Sequence, residues 1–127
     1  MSAMNAITTD QAPRALGPYS QACRMGETLY VSGQLGIDPA TGQLAPGGIG
    51  EEARRALLNL QAILKAAEFT MRQVVQVQIF LTDMKAFGEV NEIYKTFFAE
   101  PYPARAVVEV SALPAGGRVE VMAIAHQ

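Results

Sequence analysis

An α+β sandwich, with two helices on one face of a sheet of five or six strands, is the fold class this sequence predicts. Three observations carry it. Short runs rich in β-forming residues are interrupted by two segments of helical period. Their order is β-β-α-β-α-β-β, and two helices suit one face of such a sheet. The last strand is apolar on both sides: Val119, Val121 and Ala123 point one way, Met122 and Ile124 the other.

The elements follow in order. Residues 14–38 read as two short strands around the turn Met25-Gly26-Glu27, and TLYVSG is the β-rich part. DPATGQLAPGGIG, full of Pro and Gly, reads as a loop. EEARRALLNLQAILKAAE is a helix. Ala56, Leu60, Ile63 and Ala67 recur at helical spacing, Leu57 and Leu64 widen the stripe, and Glu51 and Glu52 suit the first turn. In VVQVQIFLTD the period becomes two: Val75, Val77, Ile79 and Leu81 form an apolar face, opposite Gln76, Gln78, Phe80 and Thr82. KAFGEVNEIYKTFF is a second helix with Phe87, Val90, Tyr94 and one of Phe97 and Phe98 inward, stopped by Pro101 and Pro103. ARAVVEVSA and RVEVMAIA are two further strands, and the loop LPAGG between them predicts a hairpin. The helices cover one face of the sheet, and the apolar second face of the last strand predicts an oligomer.

Bulk composition excludes several function classes. The 127 residues, half hydrophobic and 17% charged, suit a single domain over 1–127. A net charge of −2 predicts no general nucleic-acid partner. The apolar runs are too short for a membrane span, and the N-terminal residues lack a signal-peptide pattern, so the expected compartment is the cytoplasm. One cysteine, Cys23, and one histidine, His126, make neither a disulfide framework nor a usual zinc site, and no Ser-His-Asp set is present. PGGIG lacks the lysine and hydroxyl of a phosphate loop. Catalysis, if present, falls to Arg, Glu, Tyr, Ser, backbone groups and water.

A few polar residues stand out against this background. Arg105 opens the strand YPARAVVEV, with Pro103 holding the preceding backbone extended. Its planar fork matches a carboxylate, and on pattern alone it is either a substrate anchor or a surface ion-pair partner. Glu120 shares parity with Met122 and Ile124. It is either an exposed strand-end acid or a proton carrier in a partly dry cleft, and Glu109 competes for that role. Tyr19 follows the Gly17-Pro18 turn, Ser32 and Gly33 end the strand TLYVSG, and Asn91 lies inside the second helix. Each has an ordinary structural reading beside a ligand-binding one. Cys23 reads as a small buried side chain and His126 as a solvated terminus.

GPYSQA, LYVSGQLGIDPATG, YPARAVVEV and LPAGGRVEVMAIA, in this order and spacing, resemble the reactive intermediate deaminase (Rid or YjgF) family, its RidA subgroup in particular. The likeness runs nearly end to end. It implies a chorismate-mutase-like fold assembled as a homotrimer, with a central barrel of sheets and ligand clefts at the three subunit interfaces. It implies hydrolysis of short 2-imino or 2-enamino acids, of the 2-aminoacrylate and 2-iminopropanoate type, to 2-keto acids and ammonia. Such substrates are released by pyridoxal-phosphate enzymes. No metal and no organic cofactor is implied.

The resemblance assigns roles residue by residue. Arg105 matches the arginine after PA, Glu120 the acid of the last strand's VE pair, and Tyr19 the tyrosine of GPYSQ. Ser32 and Gly33 match the SG pair, and Asn91 the helix asparagine. Val107 stands where relatives often carry Cys or Thr, so its expected contribution is a backbone contact. On this reading Arg105 anchors the substrate carboxylate, Glu120 with Tyr19 manages water and protons, and Ser32, Gly33 and Asn91 shape the cleft. A non-catalytic module for small carboxylates is the alternative. An RNA-cleaving or translation-inhibiting role, also proposed within the family, fits the acidic balance less well.

Overall fold

The structure, a computed structural model, describes residues 4–127. Six strands form one sheet in the order β1-β2-β3-β8-β6-β7. They are β1 Met4–Ile7, β2 Ala22–Met25, β3 Thr28–Leu35, β6 Val74–Leu81, β7 Ala104–Glu109 and β8 Val119–His126. A small separate hairpin pairs β4, Ile37–Asp38, with β5, Gln43–Leu44. Helices α1, Ile49–Ala66, and α2, Phe87–Tyr94, share one face of the sheet. Between the layers lies one core of Leu29, Leu57, Leu60, Ile63, Ile79, Leu81, Val121 and their neighbours.

Helix α1 buries the predicted stripe: Ala53, Ala56, Leu57, Leu60, Ile63 and Leu64 are all inside. Its end is a Schellman turn, with Phe69 N donating to Leu64 O and Glu68 N to Lys65 O. Glu68 takes the left-handed position at φ 64°, where glycine carries no Cβ penalty. Glu68→Gly should therefore stabilise the fold by up to about 1 kcal/mol, read as a rise in urea midpoint at unchanged slope. At the other end of the helix, Gly36 lets the chain after β3 meet α1 closely, because a Cβ there would collide with the Glu52 backbone.

Two buried polar residues tie the layers together. The Glu52 carboxylate, 2% exposed, accepts from Arg118 N and from Arg118 Nη1, both at 2.9 Å. Asn59, also on α1, donates to the carbonyls of Leu35 and Ile37. These contacts set the ends of β3 and β8, from which the cleft described below is built.

The structure departs from the sequence-based expectations in several places. The predicted hairpin between the last two strands does not form. β8 inserts between β3 and β6, and β7 lies parallel to β6 at the edge of the sheet. The reason is the crossover: α2 connects β6 to β7, and a helical connection delivers a parallel strand. LPAGG instead folds as a tight turn in which Ala115 and Gly116 are both left-handed and Gly117 N donates to Pro114 O. Val75 is exposed rather than inward, because the β6–β8 register shifts between Val74 and Gln76 and flips it. Phe87, 37% exposed, lies at the rim, while Phe98 is buried and Phe97 packs at the core's margin. Cys23 is half-buried. Two short features have no signature in the sequence pattern: β1, four residues without apolar alternation, and the β4–β5 hairpin, which joins the end of the predicted strand stretch to the expected loop.

The sheet face away from the helices carries Tyr30, Phe80, Val108, Met122 and Ile124, and no described element covers it. Among the described residues no helix is long and apolar enough to cross a membrane.

Candidate active site

Strand parity sorts the candidate residues into two groups. Glu120 pairs with Phe80 and Leu35 and so projects from the open face. Arg105 pairs with the buried Val77 and projects toward the helices. Within one chain the guanidinium and the carboxylate therefore stand on opposite faces of the sheet, two strands apart.

The Glu120 group is built around a β-bulge. β3 does not end at Ser32-Gly33, as the sequence suggested. It continues to Leu35, and its register against β8 shifts between Val31 and Gln34. The bulge brings Gly33 against Glu120: a Cβ at residue 33 would lie 2.6 Å from Glu120 Oε2. Only a glycine leaves the carboxyl its place. Ser32 Oγ donates to Ser20 O at 2.6 Å, and Ser32 N donates to Gln21 O. The serine thus fastens the bulge to the segment carrying Tyr19, its hydroxyl already committed to a backbone carbonyl.

Glu120, Gly33 and Tyr19 line one cavity of about 590 Å³, walled further by Leu16, Leu35 and Pro114. Tyr19 is half-exposed there rather than in the core. Burial pushes the Glu120 carboxyl above the ordinary glutamate range. It has no hydrogen-bond or ion-pair partner among the described residues. Glu109, its competitor, is engaged in holding the fold. Its Oε1 accepts from Met84 N at 2.7 Å, at the turn leading into α2.

Gln21 organises the cavity's outer wall and was missed as a site residue, since a glutamine in a polar run gives no signal of burial. It is 3% exposed. Its Oε1 accepts from Thr9 N, and its Nε2 donates to the carbonyls of Thr9, Ala12 and Pro13. Gln21→Leu keeps the volume but strands these groups. It should cost about 3 kcal/mol in urea unfolding, since each buried orphan costs roughly 1–3 kcal/mol.

The Arg105 group lies along α2. Arg105 Nη1 donates to Asn91 Oδ1 at 2.8 Å, and the guanidinium carbon stands 4.7 Å from the Tyr94 ring centroid. Asn91 therefore braces the arginine. No carboxylate pairs with Arg105 among the described residues. Arg105, Asn91 and Tyr94 line a second, more open cavity of about 420 Å³ with Lys95, Tyr102 and Pro103. Val107, half-buried on the helix side, packs against the core beside Ile79. Its side chain is structural.

One cluster thus holds a guanidinium with no carboxylate paired to it, and the other a half-dry carboxyl that forms no ion pair, although Arg14 lines the same cavity. Among the described residues no group of three or more His, Cys, Asp or Glu is placed to hold a metal ion.

The model of the family described as Endoribonuclease L-PSP matches residues 9–127, and the chain belongs to that family, the Rid/YjgF proteins, in their RidA subgroup. Among individual relatives, the Mus musculus protein named 2-iminobutanoate/2-iminopropanoate deaminase is 56% identical over 121 residues, 95% of this chain and 90% of that one. The crystal structure of RidA from an Antarctic Psychrobacter superposes with a TM-score of 0.94 at 45% identity, covering 97% of this chain and 99% of that one. That of E. coli TdcF with bound serine gives 0.92 at 37% identity, over 97% and 98%.

Proposed function

We propose that this chain hydrolyses short 2-imino and 2-enamino acids to 2-keto acids and ammonia, at clefts formed between copies of the chain in a homotrimer. The observation that carries this reading is the complementary pair of unsatisfied groups. Arg105 is braced and free for an anion, and Glu120 is partly desolvated and free to move a proton. Because the sheet separates them in one chain, a substrate a few atoms long meets both only where a second copy supplies one of them. The uncovered apolar face offers the surface for such copies.

The chemistry needs little more. Arg105 takes the substrate carboxylate in a two-pronged pair and so fixes the imine carbon near Glu120. The Glu120 carboxylate accepts a proton from water as the oxygen bonds to C2, and the C=N electron pair moves to nitrogen. The same carboxyl returns the proton to nitrogen. In the resulting carbinolamine the carboxylate takes the hydroxyl proton and passes it to the amino nitrogen; the C2–N bond then breaks with release of ammonia, and the oxygen closes the carbonyl of the 2-keto acid. An enamine first takes a proton at C3 and gives one up from nitrogen, which makes it the imine. Tyr19 lies within the same cavity to orient the water, Ser32 and Gly33 hold the bulge against Glu120, and Asn91 aims Arg105. Val107 contributes backbone only. The role that follows is removal of reactive by-products of pyridoxal-phosphate enzymes in the cytoplasm.

The test is a coupled assay in which a serine dehydratase supplies 2-aminoacrylate and pyruvate release is followed. The protein should accelerate release in proportion to its concentration, and sedimentation should give three copies. Unchanged pyruvate release overturns the deaminase reading and leaves a carboxylate-binding module.

A further inference from the structure

We propose that Tyr94 is a positioning residue for the deamination, its ring face holding the Arg105 guanidinium in the orientation that receives the substrate carboxylate. The inference rests on the reading of Arg105 given above. Phe87, Asn91 and Tyr94 stand at positions i, i+4 and i+7 of α2 and so form one stripe of that helix. All three contact the same guanidinium. Asn91 Oδ1 accepts from Nη1, and the rings of Tyr94 and Phe87 lie 4.7 and 5.7 Å from Cζ. Arg105 itself lies on an edge strand and is exposed, so its own strand does little to orient it. The stripe supplies what the strand lacks.

Tyr94 is the fixed part of that stripe. It is 4% exposed, and its ring packs on Phe98 at 4.5 Å between centroids. A guanidinium over such a ring is attracted to the face and loses hydration on one side. Of its five donors one goes to Asn91, and the others remain for an incoming carboxylate. Among the described residues the buried Tyr94 hydroxyl has no hydrogen-bond partner, so within this chain the ring rather than the polar end makes the contacts. Burial raises the phenol's pKa against the lowering effect of Arg105. The ring therefore stays neutral and does not become an ion-pair partner that would take the fork away from substrate.

Three variants test this. Tyr94→Phe keeps the ring face and deletes the orphan hydroxyl; it should keep KM within about twofold and unfold at a higher temperature. Tyr94→Leu keeps an apolar side chain but no face; KM for 2-aminoacrylate should rise about tenfold with a smaller change in kcat. Phe87→Leu removes the more distant, rim-exposed ring and should raise KM about twofold. The independent readout is the Arg105 side-chain Nε–H resonance in ligand-free protein. It should show an aromatic ring-current shift in the wild type and in Tyr94→Phe, reduced by Phe87→Leu and largely lost in Tyr94→Leu. A wild-type KM in Tyr94→Leu, or a wild-type resonance unshifted from that of a free arginine, overturns the proposal. Should Tyr94→Leu fail to fold, the wild-type resonance and Phe87→Leu decide. A wild type without deaminase turnover but with the shifted resonance refutes the function assigned to Arg105 and leaves its placement by Tyr94 standing.

Discussion

Arg105→Ala should fold and assemble as the wild type does, and should lose nearly all 2-aminoacrylate turnover. The side chain is exposed and makes one hydrogen bond, so little of the fold depends on it. Its loss removes a charge-assisted pair worth roughly 3 kcal/mol, so kcat/KM should fall about a hundredfold or more. Arg105→Lys separates charge from geometry. An ammonium keeps the charge but not the planar fork, so it should recover a minor part of the loss. Because the arginine acts by orienting the substrate, both kcat and KM should suffer. Steady-state kinetics on the purified variants, with circular dichroism and sedimentation as controls, reads this out. Full activity in Arg105→Ala would remove the carboxylate anchor from the proposed site.

Glu120→Gln should lower kcat by about 10²–10⁴-fold while leaving carboxylate binding nearly unchanged, the pattern expected for a lost proton carrier. In the wild type, kcat/KM should fall toward acid pH through a pKa above the ordinary glutamate range, because burial disfavours the charged form. Stability should move the other way. A glutamate whose folded pKa is raised contributes fully at pH below its unfolded pKa, and that contribution is lost as pH rises through the folded value. Glu120→Gln should therefore be more stable than the wild type at neutral pH and lose this advantage in acid, measured by urea unfolding at both pH values. A mixing experiment tests the composite cleft directly. Arg105→Ala and Glu120→Gln chains, each inactive alone, should recover about a quarter of wild-type activity when co-assembled one to one in a cyclic trimer, since a cleft works when it draws an intact residue from each neighbour. No recovery would place both residues in one chain's site, against the observed strand parity.

Much of the fold and site is legible from pattern. The stripe of α1 is visible because 3.6-residue spacing and burial have one cause, and the alternation of β8 because neighbouring side chains must face opposite ways. By pattern Arg105, Glu120, Tyr19, Ser32 and Asn91 are polar residues with an ordinary structural reading beside a ligand-binding one, and the resemblance of the motifs that carry them, Gly33 included, is what groups them into a candidate site. Gln21 does not, since its burial comes from a loop folding over it rather than from its own strand.

By itself the sequence determined the order of the main elements, the buried faces of α1 and β8, and the identity of the chemical groups. Those are local properties, set by the spacing of side chains along one element. Only the tertiary structure decided the rest. The α2 crossover sends β7 to the sheet edge and lets β8 take a central place, which overrides a hairpin that loop length favoured. The bulge at Ser32-Gly33 aims Glu120. Parity on two non-adjacent strands puts Arg105 and Glu120 on opposite faces. Strand pairing joins residues tens of positions apart, and no local spacing encodes which strand becomes a neighbour.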